Sequence, residues 1–334
     1  RVASRGLGDV YKRQGSLYVN ANNSKALYRL HDTGSDGVLD HKKLLHASKG
    51  GVGHGRNDLA LGSDQKIYAI HGDSVHLPKG IPDRTSPLRR KYNPFRENEG
   101  HVIRMNPDGS KREIFCGGLR NPYGIDFNTD GEAFTYDADA EFDMGTPWYR
   151  PTQVKHLTSG ADFGWRAVTG SWPPYFPDHP DNTQAAIDIG KGSPTGVKFG
   201  TRSHFPVDYQ RALYLLDWTY GRILAAHLIP RGSSYIGATE VFLRGQPLNV
   251  TDLDFGPDGA MYFITGGRKT QSGLYSVSYT GTTDRSRKLS AQEKHRKRLT
   301  HEYRQQRRLA ESFHRKAQYS RSKSLHDPRI QQAW

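Results

Sequence analysis

Two short stretches carry residue types that can move a proton. His54 lies just ahead of an apolar run, Asp58–Leu61, and Asp73 lies just behind the next one, Ile67–Ile70. A neutral imidazole beside a carboxylate is a usable general base toward a hydroxyl, with the carboxylate orienting the ring. Sixty-odd residues on, Arg120-Asn121-Pro122 precedes a similar apolar run at Gly124–Phe127. Arg and Asn donate hydrogen bonds to an anion or a developing oxyanion. With 15 His in the chain, the presence of one means nothing. The argument rests on equal offsets from equivalent runs.

A third stretch, Tyr136-Asp-Ala-Asp-Ala-Glu-Phe-Asp143, holds Asp137, Asp139, Glu141 and Asp143. Closely spaced carboxylates suit a hard cation such as Ca²⁺. Asp137, Asp139 and Glu141 share one face of an extended segment and are the expected ligands. Asp32–Asp40 has a similar look, but its third position is Gly34, and it reads as a turn.

The elements that must position these residues repeat. Asp58–Ile70, Gly124–Tyr136 and Thr251–Ile264 each read as an alternating strand, a turn with Asp, and an apolar–aromatic strand. Weaker copies sit at Ser16–Val19 and Arg211–Leu216. Anchored on Tyr18, Tyr68, Phe134, Tyr214 and Tyr262, the copies are 50, 66, 80 and 48 residues apart. Hairpin units at this spacing are the mark of propeller blades. The expected fold is all-β: a six-bladed β-propeller whose first blade is missing, so that 15–283 holds about five blades.

Composition agrees. Gly 36, Pro 18 and Tyr 18 suit a turn-rich β protein. One cysteine, Cys116, excludes an intramolecular disulfide framework, and no run of apolar residues is long enough to span a membrane. The net charge of +14 is concentrated at the ends. Residues 1–14 carry +3 and 284–334 carry +10, which leaves +1 on 15–283. That near-neutral body excludes a nucleic-acid-binding propeller. The tail from 284, poor in apolar residues, reads as a basic, solvated helical linker to something downstream. Residues 1–14, with the string Ser4–Gln14, resemble a translated sequencing-library adapter of the kind assembled metagenomic reads carry. They are set apart as non-native, and the chain is read as a fragment truncated at both ends.

His54–Tyr68 with Gly72-Asp73, Gly100–Gly109, Leu119–Phe127 and Asp162-Phe-Gly-Trp165 together resemble soluble quinoprotein glucose/sorbosone dehydrogenases, in the same order along the chain. The resemblance implies oxidation of a sugar or alcohol hydroxyl. His54 would take the hydroxyl proton, Asp73 would orient it, and Arg120 and Asn121 would contact pyrroloquinoline quinone, with Ca²⁺ as second cofactor. The Lys and the Arg-x-Arg pair that hold the quinone carboxylates in that family have no counterpart in Leu216–Arg222 or Asn249–Thr251. Arg222, Arg244 and Arg268 are the nearby cations, and Arg268 is assigned to the cofactor. The string Asp137–Pro151 is similar to that of multidomain "membrane-bound dehydrogenase-like" proteins, whose propeller precedes a haem-binding cytochrome c domain. By that resemblance the electron acceptor is a downstream cytochrome c domain and the location is periplasmic or secreted. The alternative is a non-catalytic, calcium-stabilised propeller that binds a carbohydrate or other ligand.

Overall fold

The computed structural model describes residues 7–13, 15–85, 99–138, 145–146, 149–165, 182–282 and 289–313. Strands follow one another as antiparallel meanders in five sheets. The first is β1 (Leu7–Arg13), β2 (Ser16–Ala21), β3 (Ala26–His31) and β4 (His41–Ala47). The second is β5 (Arg56–Leu61), β6 (Ile67–His71), β7 (Gly100–Met105) and β8 (Glu113–Leu119). The third is β9 (Asp126–Phe127), β10 (Ala133–Asp137), β11 (Thr152–Leu157) and β12 (Ile187–Gly190). The fourth is β13 (Pro194–Phe199), then a short helix α1 (Val207–Arg211), β14 (Leu213–Asp217), β15 (Arg222–Arg231) and β16 (Ser234–Arg244). The fifth has three strands, β17 (Val250–Phe255), β18 (Met261–Thr265) and β19 (Gly273–Val277). A single long helix, α2 (Ala291–Ser312), comes last. No helix among the described residues is long and apolar enough to cross a membrane.

The described residues form five blades of a propeller, and the sixth blade of the expected fold is not among them. Each repeat anchor lies on the second strand of its own sheet: Tyr18 on β2, Tyr68 on β6, Phe134 on β10, Tyr214 on β14 and Tyr262 on β18. Five copies of the phrase therefore make five blades. The segment set apart at 1–14 also differs from expectation, because Leu7–Arg13 pairs with β2 as the first strand of the first sheet. Ladder pairing uses backbone groups that almost any extended string can offer.

The hairpin turns repeat to the atom. Gly62, Asn128 and Gly256 each donate a backbone N–H to the carbonyl four residues on, at 2.9–3.0 Å. The left-handed residue inside each turn is Gln65 (φ 61°), Gly131 (74°) or Gly259 (72°), a conformation that glycine adopts at least cost.

Second strands are apolar on both faces because each lies between two cores. Along β6, Ile67 and Ala69 face the first sheet, and Tyr68 and Ile70 face the third. Along β10, Ala133 turns back to the second sheet while Phe134 and Tyr136 pack against the fourth. Along β14, Leu213 and Leu215 face the third sheet, and Tyr214 and Leu216 the fifth. Successive side chains on a strand point to opposite faces, so one strand serves two interfaces. Four cores thus fill the four junctions of five blades. On β18 the alternation has only one core to serve: Met261 and Phe263 are buried, while Tyr262 and Ile264 are 37% and 44% exposed.

First strands of neighbouring blades meet at the centre, β1 with β5, β9 with β13, and β13 with β17. Carboxylates fasten them. Asp58 accepts the Ile125 N–H at 2.8 Å, and Asp126 accepts the Phe199 N–H at 2.7 Å. Lys198 lies among Asp126, Asp58, Asp254 and Asp252. Burial alone would lower its pKa, but these four charges outweigh it and raise it.

Helix α2 is docked, not solvated. Its capping box is complete, with the Ser290 hydroxyl accepting the Glu293 N–H and the Glu293 carboxylate accepting the Ser290 N–H. Arg304, Arg307 and Arg308 share one helical face at spacings of three and four. Arg307 and Arg308 both donate to the Glu132 carboxylate, at 2.6 and 2.9 Å, and Arg304 reaches Asp130 at 3.0 Å and the Tyr235 hydroxyl at 2.6 Å. Buried His156 also donates to Glu132 from Nε2, at 2.8 Å, and accepts from Ser234 at Nδ1. At the far end of the helix, Arg84 donates to the Glu311 carbonyl and to buried Glu113.

Acid should loosen this helix. Burial would raise the Glu132 pKa, but the His156 hydrogen bond and the Arg307 charge outweigh it and hold it at about 2. A carboxylate depressed in the folded state contributes stability above its ordinary value of 4.5 that is lost as pH falls toward about 2. Burial lowers the His156 pKa from 6.5, so acidification below that value also favours release. Amide protection factors along α2, corrected for the intrinsic pH dependence of exchange, should fall below pH 5 in the wild type. In Glu132→Gln they should be lower already at pH 7; undiminished protection there would show that the arginines do not hold the helix.

Candidate active site

His54 sits in the loop between β4 and β5. Asn22, from the first blade, accepts the Arg56 N–H at 3.1 Å and donates to the Val52 carbonyl at 2.8 Å. The loop passes so close that a Cβ on Gly55 would lie 2.1 Å from the Asn22 side chain. It is zipped to the loop after β6: Gly72 N–H to Gly55 O at 2.8 Å, Ser74 N–H to His54 O at 3.1 Å, and His54 N–H to Ser74 Oγ at 3.1 Å. His54 Nδ1 lies 2.7 Å from Asp73 Oδ1, with side chains 31% and 16% exposed. An ionised carboxylate only accepts, so Nδ1 is the donor, and in the neutral ring Nε2 then carries the lone pair.

The Arg120-Asn121 loop joins the same cluster. The Asp73 N–H donates to the Arg120 carbonyl at 2.7 Å. A Cβ on Gly72 would stand 2.8 Å from both Asn121 Oδ1 and His54. The structure therefore brings His54, Asp73, Arg120 and Asn121 together at one rim. Asn57 steadies them from below, donating to the Pro122 carbonyl at 2.7 Å.

Asp137 plays a different part from the metal ligand expected of it. It is fully buried at the end of β10. Its oxygens accept the backbone N–H groups of Arg120 (3.1 Å), Asn121 (2.8 Å) and Ala138 (2.9 Å), and the Lys155 ammonium at 2.6 Å. Burial pushes the Lys155 pKa down, while Asp137 works to keep it charged. A carboxylate saturated in this way is an anchor for the Arg120 loop and has no open face for a cation. Asp139 and Glu141 lie outside the described residues. Among the described residues, no group of three or more His, Cys, Asp or Glu is arranged to hold a metal ion.

Arg268 follows β18, the strand equivalent to β6, so topology puts it at the same rim as Asp73. Gly266, Gly267, Arg268 and Lys269 all have positive φ (148°, 88°, 48° and 68°). For the two non-glycine residues this costs on the order of 1 kcal/mol each. The Arg268 guanidinium lies over the Trp218 ring, 5.5 Å from its centroid, and the Trp218 indole N–H donates to Gly266 O at 2.7 Å. Arg222 is occupied by Asp217 (2.8 Å) and the Lys191 carbonyl (3.0 Å).

Two residues were not singled out as site residues from the sequence. Trp165, noted there only within the Asp162-Phe-Gly-Trp165 resemblance, donates from Nε1 to Asp73 Oδ2 at 2.8 Å and lies under the Arg120 guanidinium, 5.5 Å from its ring centroid. Lys155 is buried against Asp137 and Phe163. Nothing local marks either one. Their partners lie 92 and 18 residues away in the chain.

A domain of unknown function, DUF7133, matches residues 10–163. No curated protein matches the chain in sequence. Among solved structures, a glucose dehydrogenase is 17% identical over 82% of each chain, with a TM-score of 0.63. The soluble aldose sugar dehydrogenase from Escherichia coli, in its apo form, is 14% identical over 76% of each chain, TM-score 0.56. The holo pyranose dehydrogenase PQQ domain from Coprinopsis cinerea is 12% identical over 77% of this chain and 78% of its own, TM-score 0.51. At these identities the likeness is one of fold.

Asp137→Asn should destabilise the protein by about 3–5 kcal/mol, because it strands a buried ammonium. Thermal unfolding measures this. Calorimetry with Ca²⁺ should give equal heats for wild type and variant; a heat lost with Asp137 would restore the metal reading.

Proposed function

We propose that this propeller is a quinoprotein-type oxidoreductase acting on a sugar or alcohol hydroxyl. The observation that carries the reading is the His54–Asp73 hydrogen bond, which leaves Nε2 free to accept a proton at the rim where Arg120 and Asn121 converge. The proteins that share the fold include a glucose dehydrogenase and a pyranose dehydrogenase PQQ domain, which supports the substrate class.

The side chains fit an anionic cofactor at the level of charge. Arg120 over Trp165 and Arg268 over Trp218 each present a guanidinium on an indole face, a pairing that tolerates planar anions. Arg120, Asn121 and Arg268 would hold the quinone. It supplies, when bound, a two-electron acceptor for the hydride that leaves the carbinol carbon. The residues present do not fit calcium at Asp137, so no step is assigned to that ion, and the calcium-stabilised binding-module reading loses that one of its three expected ligands.

His54 Nε2 takes the hydroxyl proton as the carbon–hydrogen bond breaks. Asp73 keeps Nδ1–H in place and stabilises the imidazolium that forms. A periplasmic location and a cytochrome c acceptor belong to the same reading.

Sugar oxidation by protein reconstituted with the quinone and a dye acceptor tests it. His54→Ala should lower turnover by roughly 10²–10⁴-fold with unfolding unchanged. Asp73→Asn should cost less, since it orients the ring and does not take the proton. If Asp73→Asn were the more damaging of two equally folded variants, His54 would not be the base.

A further inference from the structure

We propose that Trp165 is a positioning residue for the His54–Asp73 pair, a role that rests on the reading of His54 as the base. Asp73 has two carboxylate oxygens. Oδ1 holds His54 Nδ1 at 2.7 Å and Oδ2 holds the Trp165 indole N–H at 2.8 Å. A carboxylate with one fixed donor can turn about its own bond; one with a donor on each oxygen cannot. The indole N–H therefore sets the plane of Asp73, and with it the tautomer and direction of His54.

The indole is itself held. It is 2% exposed and comes from a segment after β11 that is pinned to the neighbouring blade. Gly117 N–H donates to Ala161 O, Phe163 N–H to Gly117 O and Trp165 N–H to Gly118 O, at 2.9–3.0 Å. The approach is close enough that a Cβ on Gly118 would fall 2.2 Å from Asp162 Oδ1. Arg120 lies across the ring face, so the side chain assigned to the cofactor and the one assigned to the base touch a common rigid plate. Any buried indole N–H needs an acceptor, and for Trp218 a backbone carbonyl suffices. This one spends its only polar hydrogen on the carboxylate that orients the base.

The test replaces the N–H and keeps the ring. In [¹⁵N]histidine-labelled protein at pH 8, two-bond ¹⁵N–¹H correlations read the His54 tautomer directly, with no cofactor or activity required. The wild type should show the Nδ1–H form. Trp165→Phe should show a mixture, and turnover of D-glucose with added quinone should fall roughly 10-fold with KM changed by less than about 2-fold, the loss expected for one charge-assisted hydrogen bond. β-(3-Benzothienyl)alanine at position 165 retains the bicyclic ring and the Arg120 stack but replaces N–H by sulfur. It should behave as Phe does, and it stands in should Trp165→Phe fail to fold. An unchanged Nδ1–H tautomer in a folded variant would overturn the proposal whatever the turnover. A shifted tautomer in a protein whose wild type oxidises no sugar would uphold the positioning role and overturn the enzymatic reading instead.

Discussion

A four-stranded sheet built from β6, β10 or β14 is apolar on both faces, and that constraint shapes the whole molecule. No such sheet can bury itself. Each must be covered twice, and sequential meanders do so by stacking radially, face on face, with one core per junction. Radial stacking converges the first strands and collects the loops after every second strand at a common rim. The site is where it is because burial put it there.

Convergent loops still need to be fixed, and the chain uses buried carboxylates for that. Asp137 ties the Arg120 and Asn121 backbone of one blade to the β10 end of the next. Asp217 at the end of β14 does the same work with the Ser193 N–H and Arg222. Asp73 lies two residues past the end of β6, beyond His71, which holds the place of Asp137 and Asp217, and it spends its oxygens on His54 and Trp165 instead of backbone. The aspartates at and just past the second-strand ends thus divide into two anchors and one that faces a titratable ring. The difference lies in what each carboxylate meets. Charged residues buried without partners would cost several kcal/mol, so the anchors hold their partners tightly.

The outer rim follows a different rule. Helix α2 has almost no apolar face to bury. It crosses the edges of three blades: Arg84, paired with Glu113, donates to its Glu311 carbonyl, its own arginines pair with Asp130 and Glu132, and Arg307 donates to the Ser233 carbonyl at the β15–β16 turn. An external strap of this kind braces at the outer edge blades that otherwise meet through their cores and through the carboxylate and loop contacts nearer the centre. Because its contacts are ionic and shared with His156, it is the part of the fold most exposed to pH.

Much of this was legible in the residues. Period-two alternation and recurring Asp-containing turns identify hairpins, and equal offsets of His54, Asp73, Arg120 and Asn121 from those hairpins place them at one rim, because strand direction alternates regularly in a meander. The number of blades was legible as the number of anchors, though the resemblance suggested one more. What only the tertiary structure decided is which carboxylates remain available. Asp73 and Asp137 both stand at or just past the end of an apolar second strand, and their local sequences do not say which will be saturated. That depends on Lys155, two strands' length away, on the Arg120 and Asn121 amides of the preceding blade, and on an indole 92 residues downstream. The same holds for α2, whose basic face looks solvated until Glu132 is seen opposite it. Short-range pattern is set by backbone period; the charge state and freedom of a side chain are set by whatever the packing of distant segments brings within hydrogen-bonding distance.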